Sequence, residues 1–140
     1  VVKSKQLKNF IKKCRLPNNV EIRAINASPL VELVESGKFL NNKSFCNTKI
    51  KKILKSGLEK YEIDSVTLSS THLPFLLPYL KKQFPDVRFH DPAVQLAKKI
   101  AKNTKKSKRN SLSIFTSGNP EKLERNLRKL GISSKVISLP

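Results

Sequence analysis

Residues 66–78 run Val66-Thr67-Leu68-Ser69-Ser70-Thr71-His72-Leu73-Pro74-Phe75-Leu76-Leu77-Pro78. A short β-branched and leucine run ends in small hydroxyl residues and one histidine, then restarts as a proline-led apolar segment. That order is what a buried parallel strand feeding a helix looks like. In parallel sheets, ligands gather outside the carboxyl ends of the strands. Ser69, Ser70, Thr71 and His72 therefore stand where chemistry is usually placed, and the turn adds the free backbone N–H groups of a helix start.

Outward toward the carboxyl terminus, Pro74 to Phe84 sets Leu76, Leu77, Leu80 and Phe84 at helical spacing, with both prolines tolerable in or near a first turn. Val87 to His90 reads as a second short strand, and Asp91-Pro92 opens a helix carrying Val94, Leu96, Ala97, Ile100 and Ala101. His90, beside Asp91 at a strand end, is either ionised or simply hydrogen-bonded, and a lone histidine there is more often structural. Ser111 to Phe115 gives a third strand and Pro120 to Leu130 a helix stopped by Gly131. Val136 to Leu139 has the composition of a last strand.

Outward toward the amino terminus, Thr48 is expected to cap a helix with Ile50, Ile53, Leu54 and Leu58 on one face, after an irregular stretch from Phe39 to Cys46. Ser28 is the expected N-cap of a helix with Pro29 at its first position, running from Leu30 to Ser36 and closed by Gly37. Val20 to Ile25 alternates as a strand does. Val2 to Arg15 spaces Leu7, Phe10, Ile11 and Cys14 as an amphipathic helix. Strands alternating with helices at this spacing argue for an α/β fold with a mostly parallel sheet flanked by helices.

The LSSTHLPFLLP segment resembles the second catalytic motif of the cofactor-independent glutamate racemases, where a strand leads into Gly-Cys-Thr-His-Tyr-Pro and two leucines. Ser69 stands at the glycine, Ser70 at the cysteine and Leu73 at the tyrosine, while Thr71, His72 and Pro74 match. Upstream, NASPLVELVESG resembles the family segment in which Ala-Cys-Pro leads to a helix ending in Leu-Val-Glu. Ser28 again replaces a cysteine, and Glu35 falls at the acidic residue. TSGNPEKLERNL resembles the family's carboxyl-terminal Thr-Thr-Gly-Asp-Pro-Glu turn and helix, and Val2-Lys3-Ser4 a mid-protein Thr-Val-Lys-Ser. Cys46-Asn47-Thr48 spells part of the first catalytic motif, but no apolar strand precedes it, so that match reads as chance.

The resemblance covers nearly the whole chain but only the second half of a racemase. It implies that residues 1–90 form the second lobe of a two-lobed α/β fold and that residues 91–140 complete the first. By the same resemblance Ser70, His72 and Glu35 are the candidate catalytic residues, with Ser69 and Thr71 binding the substrate. That substrate is a small acidic amino acid, glutamate or aspartate, and no cofactor or metal is implied. In the intact family two cysteines exchange the α-proton to supply D-glutamate, a peptidoglycan precursor.

A thiol suits that step because its pKa, about 8.5, is readily pulled toward neutrality by its neighbours. A serine hydroxyl is far too weak an acid unless a base activates it. The expectation is therefore a racemase-like chain inactive alone, completed by a missing half or as a homo-oligomer.

Composition sets the remaining bounds. The 140 residues are enough for one ordinary domain with a core. Twenty-nine Lys and Arg against ten Asp and Glu leave a net charge of +19, which favours polyanions. A basic, non-catalytic nucleic-acid-binding module is accordingly the alternative function. The run Lys98 to Arg109 holds seven basic residues and no acid, but no aromatic residue interrupts it to stack a base. Cys14 and Cys46 have neither metal-ligand nor CxxC spacing and read as reduced thiols. No stretch reaches the roughly 18 apolar residues of a membrane span, and no secretory signal opens the sequence, so the expected compartment is the cytoplasm. With Val1-Val2 at its start and no Met anywhere, the sequence reads as a piece of a longer protein.

Overall fold

A computed structural model of the chain describes residues 4–104 and 112–139. Lys105 to Arg109 of the basic run, Ser111 of the expected third strand and the Val2-Lys3 match lie outside the described residues.

The core is assembled around α4 (Lys43–Lys60), whose residues Cys46, Ile50, Leu54 and Leu58 recur every four positions and are all buried. Against that stripe pack Leu30, Leu33 and Val34 of α2 (Ser28–Glu35), Phe39 of α3 (Lys38–Asn41) and Leu80 of α5 (Leu77–Gln83). A 3₁₀ turn over Leu73–Leu76 adds Leu73 and Leu76. Fully burying one such leucine is worth about 1.5–3 kcal/mol. Tyr79 joins α5 to α3 by donating its hydroxyl to the Phe39 carbonyl at 2.7 Å. The Phe39 and Phe75 rings meet tilted, with centroids 5.8 Å apart.

Two parallel strand pairs lie among these helices, so the fold is α/β. β1 (Ser65–Thr67) pairs with β2 (Arg88–His90) in the register Ser65–Arg88, Val66–Phe89 and Thr67–His90. The 3₁₀ turn and α5 make the crossover between them. β3 (Ile114–Thr116) pairs with β4 (Val136–Ser138), matching Phe115 to Ile137, and α7 (Pro120–Lys129) makes that crossover. The Leu139 N–H extends the second ladder by donating to the Thr116 carbonyl at 2.7 Å. One face of the second pair is closed by α7, where the Val136 N–H donates to Glu124 Oε1 at 2.8 Å. On the other face Phe115 and Ile137 are 54% and 45% exposed, with Leu139 beside them. α6 (Pro92–Asn103), capped by the Asp91 side chain on the Ala93 N–H, has no buried residue, and its Val94, Leu96 and Ile100 face solvent.

Three local expectations are corrected. Residues 20–25 form no strand: Ile25 leans on the core beside Gly57, while Val20 and Ile22 are exposed. The alternating Val20, Ile22 and Ala24 are all exposed, so the pattern marks neither a ladder nor a buried face. The helix expected to start at Thr48 starts at Lys43, because Asn42 Oδ1 accepts the Phe45 N–H at 3.0 Å and Cys46 already belongs to its buried stripe. Ser28 is the first residue of α2, not its N-cap. Its N–H and hydroxyl both donate to Asn26 Oδ1, at 3.1 and 2.8 Å, so Asn26 shapes that turn. Gly37 does close α2, in the left-handed region at φ +70°. The amphipathic amino-terminal helix is α1 (Lys5–Lys13), with Ser4 as its cap.

Candidate active site

The loop leaving β1 carries Leu68 into the core and Ser69 to the surface. Leu68 is held by its N–H donating to the His90 carbonyl at 2.9 Å, which fixes the next residues at the carboxyl edge of the parallel pair. There Ser70 Oγ accepts the His72 N–H at 3.3 Å and lies 3.2 Å from His72 Nδ1. Leu73 anchors the following turn, its N–H donating to the Ser70 carbonyl at 3.3 Å and its side chain buried.

Because α2 packs on this 3₁₀ turn, the last residue of α2 reaches the same ring. Glu35 Oε1 lies 3.3 Å from His72 Nε2, with the two side chains 60% and 36% exposed. Ser70, His72 and Glu35 thus form a hydroxyl–imidazole–carboxylate chain open to solvent. With the proton on Nε2 donated to Glu35, Nδ1 is left as an acceptor for the Ser70 hydroxyl, the tautomer the hydrogen-bond pattern favours. In that state His72 is placed to take a proton through Ser70 Oγ.

Ser69 and Thr71 flank the chain and are exposed. His90 is not part of it: Nε2 lies 2.9 Å from Ser65 Oγ across the β1–β2 pair, a structural bond. Cys46 is buried on the inner face of α4, its thiol 3.8 Å from the Lys38 carbonyl, and burial raises its pKa. The Cys-Asn-Thr triplet therefore presents no thiolate to a substrate. Among the described residues no three His, Cys, Asp or Glu side chains cluster as metal ligands.

Ligands of parallel α/β folds gather at the carboxyl edge of the strands, which makes this loop the candidate site. Over 89 residues, 63% of this chain, the sequence is 34% identical to Glutamate racemase 1 of Caldanaerobacter subterraneus subsp. tengcongensis, and the match covers 32% of that protein. The fold matches the crystal structure of a glutamate racemase isoform from Bacillus anthracis with a TM-score of 0.72 and 22% identity, over 96% of this chain and 53% of that one. The chain is glutamate racemase-like in sequence and in fold, and spans about a third of the first relative and about half of the second. No protein-family model matches it.

Proposed function

We propose that this chain forms one side of a racemase-like cleft for a small acidic amino acid, glutamate or aspartate, and does not by itself racemise it. The observation that carries this reading is the oxygen at position 70, held 3.2 Å from His72 Nδ1 where the resemblance expects sulfur. Removing an α-proton asks for a base strong enough to hold it and an acid on the opposite face to return another. A hydroxyl ionises far less readily than a thiol, so even with His72 as its partner Ser70 is a poor member of such a pair. Glu35 orients the imidazole through Nε2, and Ser69 and Thr71 offer hydroxyls to a substrate carboxylate.

The same reading divides the chain at about residue 90, with residues 91–140 belonging to a lobe completed by further polypeptide or by a second copy. It is supported by the uncovered apolar faces of α6 and of the β3–β4 pair, since parallel sheets are normally covered on both faces. The compartment that goes with a D-glutamate precursor is the cytoplasm.

The test is α-proton exchange of L- and D-glutamate in D₂O, followed by NMR. Wild-type chain alone is expected to give none. Ser70→Cys, mixed with a polypeptide supplying the remainder of the racemase fold, is expected to give measurable exchange that Ser70→Ala in the same mixture lacks. Turnover by the wild-type chain alone overturns the proposed inactivity. A stable mixed complex of the Ser70→Cys chain without exchange overturns the assignment of the site.

A further inference from the structure

The arrangement of Ser70, His72 and Glu35 suits a carbonyl carbon better than an α-proton. Taking an α-proton asks for a base that is already ionised, which a hydroxyl near neutral pH does not supply. Attack on an ester asks for less. The hydroxyl proton leaves for a neighbouring imidazole as the new carbon–oxygen bond forms, so no free alkoxide has to exist beforehand.

Three features of the loop meet that lesser demand. Ser70 Oγ lies 3.2 Å from His72 Nδ1, the reach of a nucleophile and its base. Glu35 Oε1, 3.3 Å from His72 Nε2, accepts the other ring proton and faces the positive charge that the ring gains on taking the hydroxyl proton. This is the serine, histidine and acid constellation of acyl-transfer sites, with the two ring nitrogens in exchanged roles. The third feature is the backbone. The His72 N–H is committed to Ser70 Oγ at 3.3 Å, but the N–H of Thr71 has no hydrogen-bond partner among the described residues and Thr71 is exposed. The N–H of the residue after a nucleophile is a common donor to the oxyanion that forms on attack. Leu68 and Leu73, both buried, anchor the loop on either side of these groups.

We propose that Ser70 is an acyl-accepting nucleophile for small activated esters, with His72 as its general base and Glu35 as a positioning residue. Ser70 Oγ bonds to the carbonyl carbon while its proton passes to His72 Nδ1. The leaving alcohol takes that proton as its own bond to the carbon breaks. Water then repeats the sequence on the acyl-serine, releasing the carboxylic acid and restoring the hydroxyl. The open setting of the three side chains suits a small acyl group on a good leaving group. The reaction needs no second lobe and no amino acid, so it stands or fails apart from the racemase-like reading.

Brief exposure to p-nitrophenyl acetate is the test. Lysines also take acetyl groups from this reagent, so the position of the label is the readout. Trypsin cuts after Lys60 and Lys81 and nowhere between, which isolates Ser70 and His72 in one peptide. Acetylation of Ser70 is expected to be about 100-fold faster than that of the exposed Ser69, and His72→Gln to remove that advantage. Glu35→Gln is expected to slow it by about 2- to 5-fold, the loss of an exposed charge contact. At 1 M salt, where the screening length is about 3 Å, that last difference should shrink, whereas a residue that merely shaped the loop would keep it. Circular dichroism matching wild type shows that each variant is folded. Equal labelling of Ser69 and Ser70, or a Ser70 rate unmoved by His72→Gln, overturns the proposal. So does acetyl found on His72 itself with p-nitrophenolate release unchanged in Ser70→Ala, which would make the imidazole the nucleophile. A Glu35→Gln effect undiminished by salt overturns the role given to Glu35.

Discussion

His72 Nε2 lies 3.3 Å from Glu35 Oε1, joining the loop after β1 to the last residue of α2. Both side chains are substantially exposed, and exposed pairs of this kind contribute about 0–1 kcal/mol to stability. Glu35→Gln is therefore expected to leave the urea unfolding free energy within about 1 kcal/mol of wild type, while loosening the orientation of the imidazole. A loss several times larger would show that the pair is a structural clamp rather than part of a site.

Thiol counting tests the placement of Ser70. Native protein is expected to react quickly with a thiol reagent at the exposed Cys14 only, since Cys46 is buried, and at both once denatured. Ser70→Cys should add one fast-reacting thiol, because position 70 is part-buried at the surface beside an imidazole. His72→Gln in that background should slow its reaction while leaving Cys14 unchanged. Equal rates at position 70 with and without His72 would separate the two side chains in solution.

Alkaline pH should weaken the fold through Cys46. Burial raises this thiol's pKa, and burial, followed by the Cys46 thiolate, raises that of Tyr79. In the interval between the unfolded and folded values the native state holds protons that the unfolded chain has released, so stability falls with rising pH. The contribution is fully present at neutral pH and is lost as pH climbs past the thiol's ordinary value of about 8.5. Urea titrations from pH 7 to 10 are expected to show this decline, and Cys46→Ala to flatten it while lowering stability throughout.

Gly37 sits at φ +70° between α2 and α3. A Cβ there would meet only the Asn126 side chain, at ordinary contact distance, so the cost of Gly37→Ala lies in the backbone. About 1–2 kcal/mol of destabilisation is expected, less for Gly37→Asn, which tolerates this region better. Chemical denaturation of the two variants checks the order.

Much of this architecture is written in local pattern. The strand–turn–helix at Val66 to Pro78, the Asp91-Pro92 helix start and the Gly131 stop all emerge because capping residues, prolines and apolar spacing agree there. Residues 20–25 mislead because a ladder needs a partner strand, and alternation alone cannot say whether one exists. Asn42 is overlooked as a cap because the buried stripe it begins contains Cys46, which reads as an ordinary polar-segment residue until it is seen packed. In the candidate site, Ser70 and His72 are neighbours in sequence. Glu35 is linked to them only by a family resemblance, since nothing in residues 36–69 encodes the meeting of α2 with the 3₁₀ turn.

The open face bearing Phe115, Ile137 and Leu139 has a colloidal consequence. Two such faces would bury each other readily if nothing kept the chains apart, and here a surplus of nineteen positive charges does. Salt removes that barrier, because at 1 M the screening length shrinks to about 3 Å. The chain should thus stay dispersed in dilute buffer and begin to self-associate as ionic strength rises, with light scattering marking the onset and Phe115→Lys postponing it.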